Sequence, residues 1–222
     1  MTPDPHHPQA MTPPRSLHMD RPPLQAEIRA KGFGPVQVLR DIVFTVARGE
    51  TVALVGPSGI GKSTVLRIVA GLDRDFDGSV RRPERIAMVF QEPTLLPWRS
   101  AAQNLTLIHP ALTGRAANDM LARVGLAGRG DAFPRALSLG QQRRLALARA
   151  FAGAPELLIM DEPFVSLDQD LADQMLQLTQ ELIAEHRPAT LFVTHARSEA
   201  TRLGARVLEL RGSPATLVPH LV

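Results

Sequence analysis

From residue 24 onward, short apolar runs alternate with longer stretches whose apolar positions recur at helical spacing, which predicts an α/β fold with a mainly parallel sheet. Strands are expected over 24–29, 42–46, 51–55, 86–90, 157–160, 190–193 and 206–210. Several of these are apolar throughout, as expected of strands covered on both faces. Helices are expected over 62–70, 115–124, 138–152 and 171–184. In the last of them Leu171, Met175, Leu178 and Leu182 trace one apolar stripe, a face for the core. Between Phe90 and Leu157 no strand pattern is evident, so a helical subdomain, about 92–152, is expected as an insertion between two strands of the sheet. No internal repeat is visible.

A chain of 222 residues with 44% hydrophobic and 21% charged content can bury a substantial core, and disorder over its whole length is excluded. Residues 1–23 differ, with seven prolines and no apolar periodicity, the composition of a disordered extension ahead of one domain over 24–222. This extension lacks the apolar region of a signal peptide, and Met11 or Met19 would serve as a start as well as Met1. Cysteine is absent, which excludes disulfides, thiolate metal sites and a cysteine nucleophile, and fits a reducing compartment. The apolar runs fall far short of the roughly 20 residues needed to cross a bilayer, so a membrane role would be peripheral. A net charge of +3, from 25 basic and 22 acidic residues, gives little ground for a nucleic-acid partner. Lysine occurs only at Lys31 and Lys62, so a compact ammonium at a fixed position has few candidates.

One of the two lies in the run Gly56, Pro57, Ser58, Gly59, Ile60, Gly61, Lys62, Ser63 and Thr64, which satisfies G-x-x-x-x-G-K-[ST] between an apolar strand and a predicted helix. Glycines at 56, 59 and 61 let the backbone turn its N–H groups onto phosphate oxygens, forming an anion nest. The helix adds its positive end, Lys62 reaches the β- and γ-phosphates, and the Ser63 hydroxyl can ligate magnesium. The ligand is then a nucleoside triphosphate such as ATP.

The apolar run 157–160 ends in Asp161 and Glu162, at the C-terminal end of a strand, where open α/β sheets bind ligands. Asp161 can hold magnesium through water, and Glu162 can accept a proton from the attacking water or orient it. A solvated turn after a buried strand is the competing reading of this pair, and the phosphate loop earlier in the chain favours the magnesium reading.

Between and after these motifs stands Ala136, Leu137, Ser138, Leu139, Gly140, Gln141 and Gln142, ahead of a helix carrying Arg143, Arg144 and Arg149. This run resembles the signature motif of ATP-binding cassette (ABC) proteins. In the same comparison Gln91 resembles the Q-loop glutamine, the run Ser166, Leu167 and Asp168 the D-loop, and His195 the switch histidine. Phe33, 29 positions before Lys62 (62 minus 33), matches the aromatic that stacks on adenine. The resemblance spans about residues 24–210, with every motif in the family's order. It implies a P-loop NTPase core of RecA type, a small N-terminal antiparallel β part and an inserted helical subdomain. It also implies that Ser138, Gly140 and Gln141 approach the γ-phosphate of ATP held by an opposite protomer, and that Gln91 offers an amide oxygen to magnesium or water. Asp168 would likewise belong to the nucleotide site. Leu139 stands where most members have glycine, and Ala196 where many have aspartate after the histidine.

The segment from Val89 to Arg99, with the chain's one tryptophan in Leu95, Leu96, Pro97 and Trp98, resembles importers of the nitrate, sulfonate and taurine type. In that family this region forms the groove that receives a permease helix. The resemblance therefore implies a homodimeric ATPase subunit with two ATP molecules at its interface, membrane permease partners, a solute-binding protein in the full system and a place on the cytoplasmic face of the cell membrane. Trp98 as an anchor at the edge of the helical subdomain is the other reading of that residue. A soluble ABC ATPase acting on nucleic acid or ribosomes is the rival for the whole chain; such proteins usually carry two cassettes, and one is present here. The core is expected to end near Leu210, with no regulatory domain after Val222.

Overall fold

The computed structural model describes residues 21–218. The extension expected over 1–23 lies, up to residue 20, outside the described residues.

A nine-stranded sheet organises the chain, in the order β4-β1-β2-β9-β8-β3-β7-β6-β5. Its parallel half comprises β3 (Thr51–Val55), β5 (Ile86–Val89), β6 (Leu157–Asp161), β7 (Ala189–Val193) and β8 (Arg206–Gly212). Its other half is antiparallel, with β1 (Leu24–Phe33) pairing both β2 (Val36–Val46) and β4 (Asp77–Arg81). The last strand, β9 (Ala215–Val218), runs antiparallel to β8 and touches β2 through Leu39 opposite Ala215.

Alternation of side chains across the parallel strands divides the core in two. Val52 and Leu54 of β3, Leu157 and Ile159 of β6, and Leu191 and Val193 of β7 pack with β1, β2 and the helix α1 (Lys62–Ala70). Ala53, Val55, Leu158, Met160 and Phe192 face the other side. There they meet α4 (Leu139–Phe151), whose Leu145, Leu147 and Phe151 are buried, and α5 (Gln169–His186), whose Met175, Leu178 and Leu182 are buried. The stripe expected on the last long helix is thus core, with Leu171 only partly covered.

Between β5 and β6 the chain is helical, with α2 (Ala101–Thr106), α3 (Gly114–Arg123) and α4 separated by loops and a 3₁₀ turn at Pro134–Ala136. Each of the three helices begins on a hydroxyl residue, Ser100, Thr113 or Ser138, whose oxygen accepts a backbone N–H of the first turn. A last helix, α6 (Arg197–Arg202), follows β7.

Four elements were not expected from the pattern. The helices α2 and α6 have six residues each, too few for a periodicity to register. β4 reads Asp, Gly, Ser, Val, Arg, an edge strand with little apolar content, and β9 shows that the fold continues past residue 210.

Candidate active site

The four strands β5, β3, β6 and β7 end at one edge of the sheet, and each delivers chemistry there: Gln91 after β5, the phosphate loop after β3, Asp161 and Glu162 at the end of β6, and His195 after β7.

The loop is built by backbone conformations that side chains resist. Gly61 has φ +112°, and a Cβ there would lie 2.7 Å from Leu39 Cδ2; Gly56, at φ +154°, would bring one within 2.9 Å of the Leu210 carbonyl oxygen. Gly61 is also the N-terminal cap of α1 and provides no side-chain acceptor, so the first N–H groups of that helix are left for a ligand. Lys62 is 6% exposed; its Nζ donates to the carbonyls of Gly56 at 2.9 Å and Pro57 at 3.0 Å. An ammonium has three donors, so one remains for a phosphate oxygen.

Ser63 Oγ donates to Asp161 Oδ1 at 3.3 Å. Burial holds the Asp161 carboxyl above the ordinary carboxylate range and Glu162 pushes it the same way, while the Ser63 hydrogen bond and the charges of Arg67 and Lys62 pull it back. This is a half-buried carboxylate beside a hydroxyl, with burial outweighing the positive charge around it. Two hard oxygen donors of this kind fit magnesium, which prefers oxygen ligands and takes most of them from water and phosphate. Among the described residues no group of three or more His, Asp or Glu side chains could hold a metal by itself.

Glu162 adopts φ +47°, a left-handed conformation uncommon for a side-chain-bearing residue, and its N–H donates to the Val193 carbonyl at 3.1 Å. That hydrogen bond aligns the ends of β6 and β7. Across it, His195 Nδ1 lies 3.7 Å from Glu162 Oε1. The turn bearing His195 is fixed by Thr194, a buried residue whose hydroxyl donates to Glu199 Oε2 at 2.5 Å and accepts from the Ala196 N–H at 2.9 Å.

The other expected site residues occupy separate places. Gln91 is exposed. Phe33 is 54% exposed at the end of β1, with Lys31 Nζ 4.8 Å from its ring centroid. Ser138 caps α4 and forms a reciprocal pair with Gln141, whose side-chain oxygen accepts the Ser138 N–H at 3.0 Å. Leu139 is half exposed, and a Cβ on Gly140 would press on Leu171 at 3.0 Å. Asp168 Oδ1 accepts the Leu171 N–H at 2.9 Å and so caps α5. Among the described residues no hydrogen bond or ion pair joins Ser138, Gly140, Gln141 or Asp168 to the phosphate loop, Asp161 or Glu162.

Three residues besides Thr194 acquire roles that sequence reasoning did not assign. Arg143, buried in α4, donates to the carbonyls of Pro163 at 3.2 Å and Val165 at 2.9 Å, tying the signature helix to the segment that follows Glu162. Arg149, one helical face further on, donates to the Thr94 carbonyl at 2.6 Å. Asn104, fully buried, accepts the Leu96 N–H at 2.8 Å and donates to the carbonyls of Leu96, Arg99 and Ser100, which closes the loop carrying Trp98. Trp98 itself is 68% exposed, so it is not a core residue of the helical part. An asparagine six residues after a tryptophan carries no sequence signal of this clamp.

A phosphate loop and a strand-end carboxylate pair on a mainly parallel sheet define a P-loop nucleotide-binding domain. The family model described as ABC transporter matches residues 39–165, and the chain belongs to that family. Among curated relatives, it is 46% identical over 192 residues to aliphatic sulfonates import ATP-binding protein SsuB 3 of Paraburkholderia xenovorans, covering 85% of this chain and 78% of that one. It is 50% identical over 187 residues to aliphatic sulfonates import ATP-binding protein SsuB 2 of Nocardia farcinica, covering 82% and 77%. Among solved structures it resembles the ATP-binding cassette MJ0796, seen as a dimer in a post-hydrolysis state with ADP and Pi, with TM-score 0.74, 26% identity, and coverage of 88% of this chain and 97% of that one.

Proposed function

We propose that this chain is the ATP-binding and ATP-hydrolysing subunit of an importer for aliphatic sulfonates, working as a homodimer on membrane permease partners. The phosphate loop supports the first part, because its free helix N–H groups and the spare donor of Lys62 are placed for the phosphates of ATP. Ser63 and Asp161 would hold magnesium, which when bound supplies positive charge between the phosphates. Glu162 takes the proton of the attacking water or orients it, and His195 beside it steadies the same region through its imidazole. The work is electrostatic: backbone amides and Lys62 offset phosphate charge without any covalent step on the protein.

Ser138 and Gly140, not bonded to this chain's own phosphate loop, are assigned to the nucleotide of the second protomer, with Leu139 directed to the outside. Gln91 senses the γ-phosphate side, and Phe33 receives the adenine. The exposed Trp98, clamped by Asn104 just after Gln91, is the permease contact, a large apolar face with one donor of the kind enriched at interfaces. Among the described residues no helix is long and apolar enough to cross a membrane, so attachment at the cytoplasmic face runs through those permeases. A solute-binding protein belongs to the full system.

The observation that carries the reading is the Ser63 to Asp161 hydrogen bond, which joins the phosphate loop to the carboxylate pair. The solute rests on the sulfonate import relatives. The test is complementation of a bacterium lacking the ATPase subunit of its aliphatic sulfonate importer, with an alkanesulfonate as sole sulfur source. The parent chain, expressed with its own permease, should restore growth and Lys62→Ala should not. ATP turnover without restored growth would sink the sulfonate assignment, and growth restored equally by Lys62→Ala would sink the ATP site.

A further inference from the structure

At the opposite ends of the same strands lies a second concentration of chemistry. Arg21, Arg48, Arg81, Arg82, Arg85 and Arg187 line a cleft of about 620 Å³. They come from the segment before β1, the β2–β3 turn, the end of β4, the link from β4 to β5 and the end of α5. Glu156 is the one carboxylate in the lining. Six arginines against one glutamate give +5, whereas the whole chain carries +3, so everything outside the cleft sums to −2 (3 minus 5).

Elsewhere on the surface some arginines are paired and others, Arg40 and Arg115 among them, form no ion pair among the described residues, so what marks this set is convergence on one concavity. Arg29 pairs with Asp77, Arg123 with Glu185, and Arg206 with Glu50. In the cleft Arg85 meets Glu156 at 3.4 Å and Arg82 donates to the Val69 carbonyl at 3.2 Å. Among the described residues Arg21, Arg48, Arg81 and Arg187 form no ion pair. Compensation of a helix end accounts for Arg187 and the neighbouring His186, which close α5 where its dipole is negative. It does not account for the other five arginines, which lie outside helices and still converge on one concavity.

We propose that this cleft is a second anion site, one that binds a small ligand bearing two or more phosphate groups. Guanidinium groups match phosphate oxygens in bidentate geometry and remain charged at any working pH, so several arginines gathered in one concavity favour an anion among them. The volume falls in the range of pockets that enclose nucleotide-sized molecules, roughly 300–1,000 Å³. Five-residue strands such as β3 and β6 separate the cleft from the phosphate loop by roughly 15 Å, at about 3.3 Å per residue, so both sites can be filled together. A soluble polyphosphate compound and a phospholipid headgroup offer the same chemistry.

The test uses the full chain with its phosphate loop saturated by ADP and magnesium, so that failure of the ATP site and failure of this one are distinguishable. Inorganic tripolyphosphate is titrated in one arm, and phosphatidylcholine vesicles with and without cardiolipin, whose headgroup carries two phosphates, are sedimented in the other. The parent should bind in at least one arm, and the double variant Arg48→Gln with Arg81→Gln should bind roughly tenfold or more weakly there, with its melting temperature and ADP affinity unchanged. Loss confined to tripolyphosphate identifies a soluble ligand, and loss confined to cardiolipin vesicles identifies a headgroup. Parent and variant that bind equally in both arms, or a parent that binds in neither, would overturn the proposal.

Discussion

The Ser63 hydroxyl donates to Asp161 Oδ1 at 3.3 Å, across 98 positions of sequence. One residue lies in the first turn of α1 and the other closes β6, so the bond fixes how the phosphate loop sits against the carboxylate pair. The bond offsets only part of the burial that raises the pKa of the half-buried Asp161 carboxyl. The site is built to be completed by a ligand.

The sign of that strain is testable. A carboxyl whose pKa is raised on folding costs stability above its unfolded pKa; the cost is complete above the folded pKa and disappears as pH falls below the unfolded one. Asp161→Asn should therefore raise the melting temperature of the ligand-free protein at neutral pH, with the difference closing in acid. The same variant should lose the extra stabilisation that magnesium and ATP give the parent. Thermal melts across pH, with and without nucleotide, check both, and a variant less stable than the parent at neutral pH would contradict the account.

Arg143→Ala strips the donors from the carbonyls of Pro163 and Val165 inside the protein. The expected loss is about 2 kcal/mol of stability, read by chemical denaturation, with slower hydrolysis because the segment after Glu162 is no longer held. Arg143→Lys, which keeps charge but not the fork, should recover little of either.

How much of this was legible beforehand depends on what each feature is made of. The parallel strands and the phosphate loop announce themselves because apolar runs and glycine spacing are local in sequence. The positions of Asp161 and Glu162 follow from the strand that ends in them. Arg143, Thr194 and Asn104 were opaque as positioning residues, because each works through backbone carbonyls or a distant partner that only the fold brings near. Leu139 is half exposed at the start of α4, a place where a bulky side chain meets solvent, and sequence alone could not say on which side of the helix it falls.

Trp98→Ala should change the unfolding free energy by no more than an ordinary surface substitution, about 0.5 kcal/mol, because the ring is largely exposed. Permease affinity should fall roughly thirtyfold, the equivalent of about 2 kcal/mol. Asn104→Ala should weaken docking too while also lowering stability, since the clamp on the loop is lost. A Trp98→Ala protein that melts early yet captures permease normally would refute the docking role.

Thr194→Val removes the hydroxyl that holds the turn of His195. Hydrolysis should slow while ATP affinity stays near that of the parent, and Thr194→Ser should restore the rate. A Val variant at the parent rate, with the loss appearing in the Ser variant instead, would assign Thr194 a packing role alone.

The central claim is that Glu162 acts on the water that attacks ATP, and Glu162→Gln tests it most directly because shape is kept while the base is removed. Steady-state hydrolysis and ATP affinity are measured on the same preparation, together with the dimer content in ATP. The expected result is a rate lowered by roughly 10²-fold or more, with affinity retained and ATP-bound dimer accumulating. A variant that hydrolyses ATP at the parent rate and stays monomeric would contradict the account.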